Sequence, residues 1–225
     1  MTAQFDPGDD FSSVIDGLES VTLTRSGSST PVAIDGALRR AVTTAEAEAL
    51  RSTFSARSSP SQGKYTASDV AWHLPASALS EPPLPGDVIE DGDSRRWTVL
   101  AVVQAALDSR WRCVSRNLAI AAGLDQYVDI ERATHAKSDG GAAEPTWNTW
   151  RTGLAARIQP MAAEVGNVND RQVTTTTFKV FLAEPVVVDH THRLKGPDGT
   201  VYRITGYKKP ERIDALMEID AVRTG

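Results

Sequence analysis

The residues of this sequence best suited to chemistry are the imidazoles of His190 and His192, within the stretch DHTH at residues 189–192. If this stretch were a β-strand, both side chains would lie on one face and could share a metal ion. A stable site needs a third and a fourth ligand, and the sequence offers none at a matching spacing. We therefore favour a polar turn that leads into a strand, and we predict no metal site.

Other reactive residue types favour structural roles. Asp91-Gly92-Asp93 lacks the spaced oxygen ligands and the closing Glu of an EF-hand calcium loop, and it is typical of a hairpin turn. Cys113 lies in a strand-like run, which predicts a buried and unreactive thiol. The sequence contains no G-x-S-x-G elbow, no glycine-rich phosphate loop and no HExxH motif. We predict no catalytic residue and no cofactor, and we expect a non-enzymatic protein.

Composition limits the classes of function further. The chain has 225 residues, a formal net charge of −5 and 40% hydrophobic residues, enough for ordinary soluble cores. A mildly acidic chain is a poor candidate for wrapping nucleic acid, which requires clustered Lys and Arg. No stretch reaches the roughly 18 apolar residues of a membrane helix, and a single cysteine cannot form an internal disulfide. We expect a soluble protein made in a cytoplasm.

The chain repeats itself at an offset of about 105 residues. Residues 89–99 (IEDGDSRRWTV) align without a gap with residues 194–204 (LKGPDGTVYRI), and both predict a strand, a Gly/Asp turn and an aromatic-bearing strand. At nearly the same offset, two further strand-like pairs follow the same order: 21–25 (VTLTR) with 128–132 (VDIER), and 69–74 (DVAWHL) with 177–182 (TFKVFL).

This repeat predicts an all-β chain of two tandem small antiparallel β-barrel or sandwich domains of the same topology. The first spans residues 11–118 and the second residues 126–222, with a short junction between them. Large apolar residues are expected to fill each core. In the first copy they are Trp72, Trp97 and Trp111; in the second they are Trp150, Phe178 or Val180, Tyr202 and Leu216.

Several segments depart from the strand pattern. Residues 44–54 (TAEAEALRSTF) predict a short helix or mobile insert in the first copy, followed by a polar serine-rich loop at 55–63. The counterpart in the second copy, residues 161–170, contains Gly166 and Asn167 and is predicted to be a loop. Hairpin tips are expected at residues 26–30 and 138–144.

Motifs of the second copy resemble a known family in their order and spacing over about 95 residues. That family is the bacteriophage head–tail joining proteins, also called head-closure or neck proteins. The stretches that carry the resemblance are an opening strand at 128–132, a "W…ARI.P" region at 146–160, a strand at 174–182, a late hairpin at 192–204 and a closing strand at 212–220.

The resemblance implies a small β-barrel or sandwich that assembles into a ring. Such a ring would lie below the portal or adaptor protein and above a tail protein, in the virion neck, after synthesis in a bacterial cytoplasm. The family is non-enzymatic, DNA would pass through the lumen without specific binding, and no membrane is involved. This chain departs from the family in carrying two copies, so a homo-oligomeric ring of six chains, or of twelve chains in two tiers, would fit.

Two loops and two tryptophans are the candidate interface. Residues 55–63 and 162–172 would order on contact with neighbours or project into the lumen. The candidate residues are Ser58, Ser59, Gln62, Trp147, Trp150, Glu164, Asn167, Asn169 and Arg171.

Three other functions remain open from the residues alone. A two-domain ligand- or carbohydrate-binding module would use Trp147, Trp150 or the loop tips, and would be a monomer with an exposed aromatic platform. A tail-terminator-like protein would terminate a tail instead of closing the capsid. A metal-dependent enzyme would require His190 and His192 to bind metal stoichiometrically.

Overall fold

The computed structural model describes Pro7 and residues 15–28, 30–42, 69–137, 143–168 and 171–224. The chain divides into two compact units, Met1–Ala121 with Arg212–Asp214, and Ala122–Glu211 with Ala215–Gly225. Each unit contains one closed six-stranded barrel whose neighbouring strands are antiparallel. Within the described part of the chain, no helix is long and apolar enough to cross a membrane.

The first barrel is built from the N-terminal half of the chain. Its strands are β1 (Leu18–Thr24), β2 (Pro31–Ala41), β3 (Val70–Pro75), β4 (Val88–Glu90), β5 (Arg96–Ala105) and β6 (Arg110–Arg116). They close in the order β1-β2-β3-β6-β5-β4. Short 3₁₀ turns at Ala76–Ala78 and Ala106–Asp108 follow β3 and β5.

The second barrel follows a five-residue helix, α1 (Leu118–Ala122), at the predicted junction. Its strands are β7 (Gln126–Lys137), β8 (Ala143–Val168), β9 (Arg171–Leu182), β10 (His192–Lys195), β11 (Val201–Lys208) and β12 (Met217–Thr224). The order around the barrel is β10-β11-β12-β9-β8-β7.

The two barrels have the same connectivity, because the first to sixth strands of each neighbour one another in the same order. The cross-strand register agrees as well: Leu23 pairs with Ile89 in the first barrel, and Ile130 pairs with Leu194 in the second. All four side chains are fully buried. The prediction of two all-β domains of matching topology is therefore confirmed.

The core of the first barrel follows the period-two pattern of its strands. Alternation places Val21 and Leu23 of β1 inside. Trp72 and Trp97 are both buried, as predicted, and meet edge to face with ring centroids 6.3 Å apart. Trp111 packs against this core but is only half-buried.

The core of the second barrel corrects two predicted members. Val180 and Tyr202 are buried as expected, and Phe178 packs edge to face on Tyr202 at 5.1 Å. Leu216 is only half-buried, because β12 turns Met217, Ile219 and Ala221 inward. Trp150 is 39% exposed, so its assignment to the core is wrong.

A β-bulge explains why Trp150 faces outward. Ile130 of β7 pairs with Arg151, whereas the next residue, Glu131, pairs with Thr149. Trp150 is therefore the extra residue of β8 at this point and lies outside the core that its size predicted it to fill. The strand joins the core only from Leu154 onward.

The predicted loop at 161–170 is wrong. Strand β8 continues to Val168 and β9 begins at Arg171, so the two strands form a hairpin ribbon. Gly166 and Asn167 pair with Val173 and Gln172 and belong to the strand. The flanking valines and the four threonines at 174–177 supply enough β propensity to extend the strands.

The remaining segment predictions have mixed outcomes. The hairpin tip at 26–30 is confirmed by the β1–β2 turn, where Ser28 N–H donates to the Arg25 carbonyl at 3.0 Å. Around the predicted tip at 138–144, Lys137 pairs with Ala143, so the flanking strands form the expected hairpin. The predicted helix or insert at 44–54 and the loop at 55–63 lie outside the described residues.

Candidate interaction surface on the second barrel

A stacked cation–aromatic pair lies on the outside of the second barrel. Strand β7 lies between β8 and β10, and its register brings Trp147 and Arg193 together on one surface. The guanidinium carbon of Arg193 lies 4.1 Å from the ring centroid of Trp147. Arg193 Nε donates to Oε2 of Glu131 at 2.6 Å. Because Glu131 is buried, this charged hydrogen bond holds the guanidinium over the indole.

Trp150 extends the same surface. Its ring centroid lies 5.0 Å from that of His192, and the guanidinium carbon of Arg151 lies 5.5 Å from it. The bulge at Trp150 keeps more than a third of the side chain in solvent. The surface formed by Trp147, Trp150, Arg151, His192 and Arg193 is called the tryptophan surface below. It combines aromatic faces with cationic groups, which suits stacking against a planar or anionic partner.

The stretch at 189–192 forms a turn that supports this surface. Oδ1 of Asp189 accepts hydrogen bonds from the Thr191 N–H at 2.7 Å and the Thr191 hydroxyl at 2.5 Å, and lies 2.8 Å from His192 Nδ1. These bonds, led by those from Thr191, hold the pKa of the Asp189 carboxyl well below its usual range.

The same ring nitrogen of His192 also lies 3.2 Å from the Asp189 N–H. One nitrogen cannot donate to a carboxylate and accept from an amide at the same time. The shorter contact therefore assigns the proton to Nδ1, which donates to Asp189.

The metal hypothesis required His190 and His192 to share a strand face. Strand β10 begins at His192, and His190 is exposed in the turn before it. The interpretation as a polar turn leading into a strand is confirmed. Among the residues that the structure describes, no group of three or more His, Cys, Asp and Glu side chains could hold a metal ion.

The first barrel builds the equivalent turn with a different acceptor. There Oδ2 of Asp87 accepts from the Leu84 N–H at 2.8 Å, and its Oδ1 accepts from the Ser26 N–H at 2.9 Å. Arg25 completes the site with an ion pair to Asp87 at 3.0 Å. The pair equivalent to Glu131 and Arg193 is Thr24 and Val88. The hydrogen bond from Arg193 to Glu131, called the Arg193–Glu131 clamp, is thus a feature of the second barrel.

Polar residues buried in the first barrel serve its structure. Asp91 accepts from the N–H groups of Asp93 at 3.0 Å and Arg95 at 2.9 Å. Its second oxygen accepts from Trp97 Nε1 and from Arg39, both at 3.1 Å. The hairpin turn predicted for Asp91-Gly92-Asp93 is confirmed, and the Asp91 carboxylate organises it.

A second set of buried charges in the first unit forms a row of ion pairs. Both carboxylate oxygens of Asp69 accept from Arg116 at 2.8 Å in a bidentate contact. Arg116 also lies 3.5 Å from Asp214, which pairs with Arg212 at 2.6 Å. Cations and anions alternate along this row of ion pairs, so the buried charges are compensated.

Cys113 behaves as its sequence context predicts. The side chain is fully buried in the first core. Burial raises the pKa of the thiol to about 12, with a smaller contribution from the negative charge of Asp87. Because the thiolate is the nucleophilic form, Cys113 is an unreactive core residue.

The predicted interface residues fall into three groups. Trp147 and Trp150 lie close together on the tryptophan surface. The backbones of Glu164 and Asn167 lie in the extended part of β8, and that of Arg171 begins β9. The others, Ser58, Ser59, Gln62 and Asn169, lie outside the described residues.

Sequence reasoning missed the side chains that hold the tryptophans. No motif in the sequence marks Glu131, Arg151 or Arg193, because their position beside the tryptophans depends on the register across β7. One signal was available. Glu131 follows the apolar Ile130 and Arg193 precedes the apolar Leu194, so pairing of these two strands places opposite charges across from each other.

Comparison with known proteins finds similarity among solved structures. No family model and no curated protein matches the sequence. Among solved structures, a chain of the virion of the native gene transfer agent (GTA) particle is 12% identical to this chain, with a TM-score of 0.37. The match covers 45% of this chain and 96% of that chain. Similarity at this level assigns neither a family nor a function.

Proposed function

We propose that this chain is a structural subunit of a phage-like particle and that it forms a ring in the neck, between the portal or adaptor protein and the tail. The proposal rests on the resemblance of the second copy to head–tail joining proteins. The duplicated barrel is in keeping with it, since each copy supplies one domain to the ring. Six chains would then provide twelve domains.

The observation that carries the proposal is the ribbon that β8 and β9 form beyond the second barrel. A closed barrel leaves no free strand edge, so an isolated barrel has little main chain to offer a neighbour. Here residues 162–168 and 171–176 pair with each other and, within the described chain, with no further strand. Such an extension is useful to a subunit that contacts copies of itself.

The proposal assigns no reaction to the protein. The carboxylates of Asp87 and Asp91 are occupied by turn amides and arginines, and the Cys113 thiol is buried. These groups contribute to stability rather than to turnover. A net charge of −5 also suits a lumen through which DNA slides, because like charges do not adhere.

The mass of the native assembly tests the proposal. We expect sedimentation of the full chain to show, at rising concentration, a species of six or twelve 24.2 kDa chains. Electron microscopy of that species should show rings with a central opening. A chain that stays monomeric at high concentration, and also fails to bind a portal or adaptor ring, would contradict the proposal. Binding to a tail tube end in place of the portal would favour tail termination.

A second function is favoured by the exposure of Trp150. Its ring, flanked by His192 and Arg151, forms the aromatic platform that a ligand- or carbohydrate-binding module requires. Tryptophan fluorescence titrations with neutral and acidic oligosaccharides test this function. Saturable binding that is lost in Trp150→Ala and kept in Tyr127→Ala, an exposed aromatic control in the same barrel, would favour the module over the connector.

A further inference from the structure

We infer that copies of this chain join by main-chain pairing, with the open edge of β9 at residues 171–176 adding to the open edge of β8 at residues 162–168 of the next copy. This inference rests on the proposed function and names the contact through which the ring forms. It requires no ligand, because the strands themselves supply the donors and acceptors.

The residues at which the neighbouring strands stop pairing with β8 and β9 identify the two open edges. Strand β12 covers β9 only from Thr177 to Leu182, and β7 covers β8 only up to Ala156. Beyond these points the ribbon has two outer edges, one on each strand, and neither has a partner strand in the described chain. An open edge presents unpaired N–H and C=O groups and is a template for another strand.

The sequence of the β9 edge favours pairing. The open segment, residues 171–176 (RQVTTT), contains no lysine, no proline and no glycine, and four of its six residues are β-branched. Proteins usually protect an exposed edge with lysine, proline or a very short strand. A strongly β-forming edge without lysine or proline is instead typical of a segment that adds to another strand.

The occupant of this edge is a second copy of the chain, because the ribbon carries two different edges of opposite formal charge. The β9 edge segment contains Arg171, and the β8 edge segment contains Glu164. Joining unlike edges is a heterologous contact, which repeats from copy to copy until the ring closes. Joining β9 to β9 would pair two identical edges and stop at two chains.

The length of the edge fits a contact that is weak alone and strong in a ring. Six residues of β-strand span about 20 Å and provide a few intermolecular hydrogen bonds. Repetition around a closed ring makes each copy hold two neighbours. Assembly would therefore be cooperative and concentration-dependent.

Cross-linking of mixed single-cysteine variants tests the pairing. Native Cys113 is buried, so engineered thiols react selectively. We expect an equimolar mixture of Glu164→Cys and Thr174→Cys chains to give cross-linked dimers with a short bis-maleimide, several-fold more than either variant alone. A β9–β9 dimer would instead cross-link in Thr174→Cys alone, and no cross-link in any sample would also overturn the inference.

Edge protection provides an independent test. Thr174→Lys and Thr176→Lys, combined, should raise the concentration needed for assembly at least tenfold, because lysines on an edge oppose strand addition. The matched control is Thr152→Lys on the exposed part of β8. Circular dichroism and melting temperature verify that both variants fold.

The outcomes separate this inference from the proposed function. If the wild-type chain forms rings and the double lysine variant forms them equally well, the pairing is wrong and the connector remains. If the wild-type chain forms no ring and binds no portal or adaptor, the connector itself is wrong. Ring formation with slowed amide exchange at 162–168 and 171–176, relative to dilute monomer, supports both.

Discussion

Ser94 and Gly199 occupy the same position in the late hairpins of the two barrels, and both have a positive φ, 60° and 81° respectively. The surrounding hydrogen bonds are also equivalent. The Ser94 N–H donates to the Asp91 carbonyl at 2.9 Å, and the Gly199 N–H donates to the Gly196 carbonyl at 3.0 Å. The same turn is therefore built once with the residue suited to it and once with a strained residue.

Exchange of these two residue types should have opposite effects. We predict that Ser94→Gly raises the free energy of unfolding of the first barrel by about 0.5–1 kcal/mol, because the left-handed strain is removed. Gly199→Ser should lower that of the second barrel by about 1 kcal/mol. Urea unfolding followed by tryptophan fluorescence measures both. Two changes of the same sign would show that the turns are not equivalent.

The Asp91 carboxylate should be among the most important polar groups of the first barrel. It satisfies two turn amides, the Trp97 indole and the Arg39 guanidinium. We predict that Asp91→Ala costs about 3 kcal/mol, since buried donors and a cation lose their acceptor. The control is Asp93→Ala in the same turn, whose carboxylate is mostly exposed and should cost less than about 0.5 kcal/mol. Equal losses measured by urea unfolding would rule out the role given to Asp91.

Local chemistry explains which parts of the fold could be predicted from the sequence. The repeat was recognisable because a strand, a Gly/Asp turn and an aromatic strand are specified by adjacent residues. The buried positions of Trp72 and Trp97 followed from the period of two, which holds wherever a strand runs without interruption. The turn at Asp189 was predictable for the same reason, because its bonds to Thr191 are local.

Non-local register explains what the sequence did not reveal. One extra residue in β8 turned Trp150 outward, and no local pattern marks where such a bulge occurs. The clamp of Glu131 and Arg193 on Trp147 depends on three strands that are distant in sequence. Gly166 and Asn167 predicted a loop because their propensities are weak, whereas pairing with the valine- and threonine-rich β9 overrides them.

The buried thiol offers a direct measure of opening of the first barrel. With its pKa raised to about 12 and its side chain inside the core, Cys113 can react at pH 8 only when the barrel opens. We predict labelling by a maleimide that is slower by a factor of roughly a thousand or more than in denaturant. Thr152→Cys, on an exposed stretch of β8, should label at the unhindered rate in the same folded protein. Rapid labelling of native Cys113 would be inconsistent with this core.

The turn at Asp189 should make the second barrel sensitive to acid. Hydrogen bonds from Thr191 and His192 lower the pKa of Asp189 in the folded chain below its unfolded value of about 4. A carboxyl with a depressed folded pKa contributes stability above the unfolded pKa, and that contribution is lost as the pH falls towards the folded pKa. We predict that Asp189→Asn lowers the melting temperature at pH 7 and that its difference from wild type shrinks progressively below about pH 4.

The control for this pH dependence is Asp16→Asn, which removes an exposed carboxylate from the first unit. Melting curves of the three proteins between pH 7 and pH 2.5 give the comparison. A difference between wild type and Asp189→Asn that stays constant over this range, or that grows on acidification, would show that the carboxylate of Asp189 does not stabilise the folded turn in its ionised form. A matching change in Asp16→Asn would assign the acid sensitivity to net charge in place of this turn.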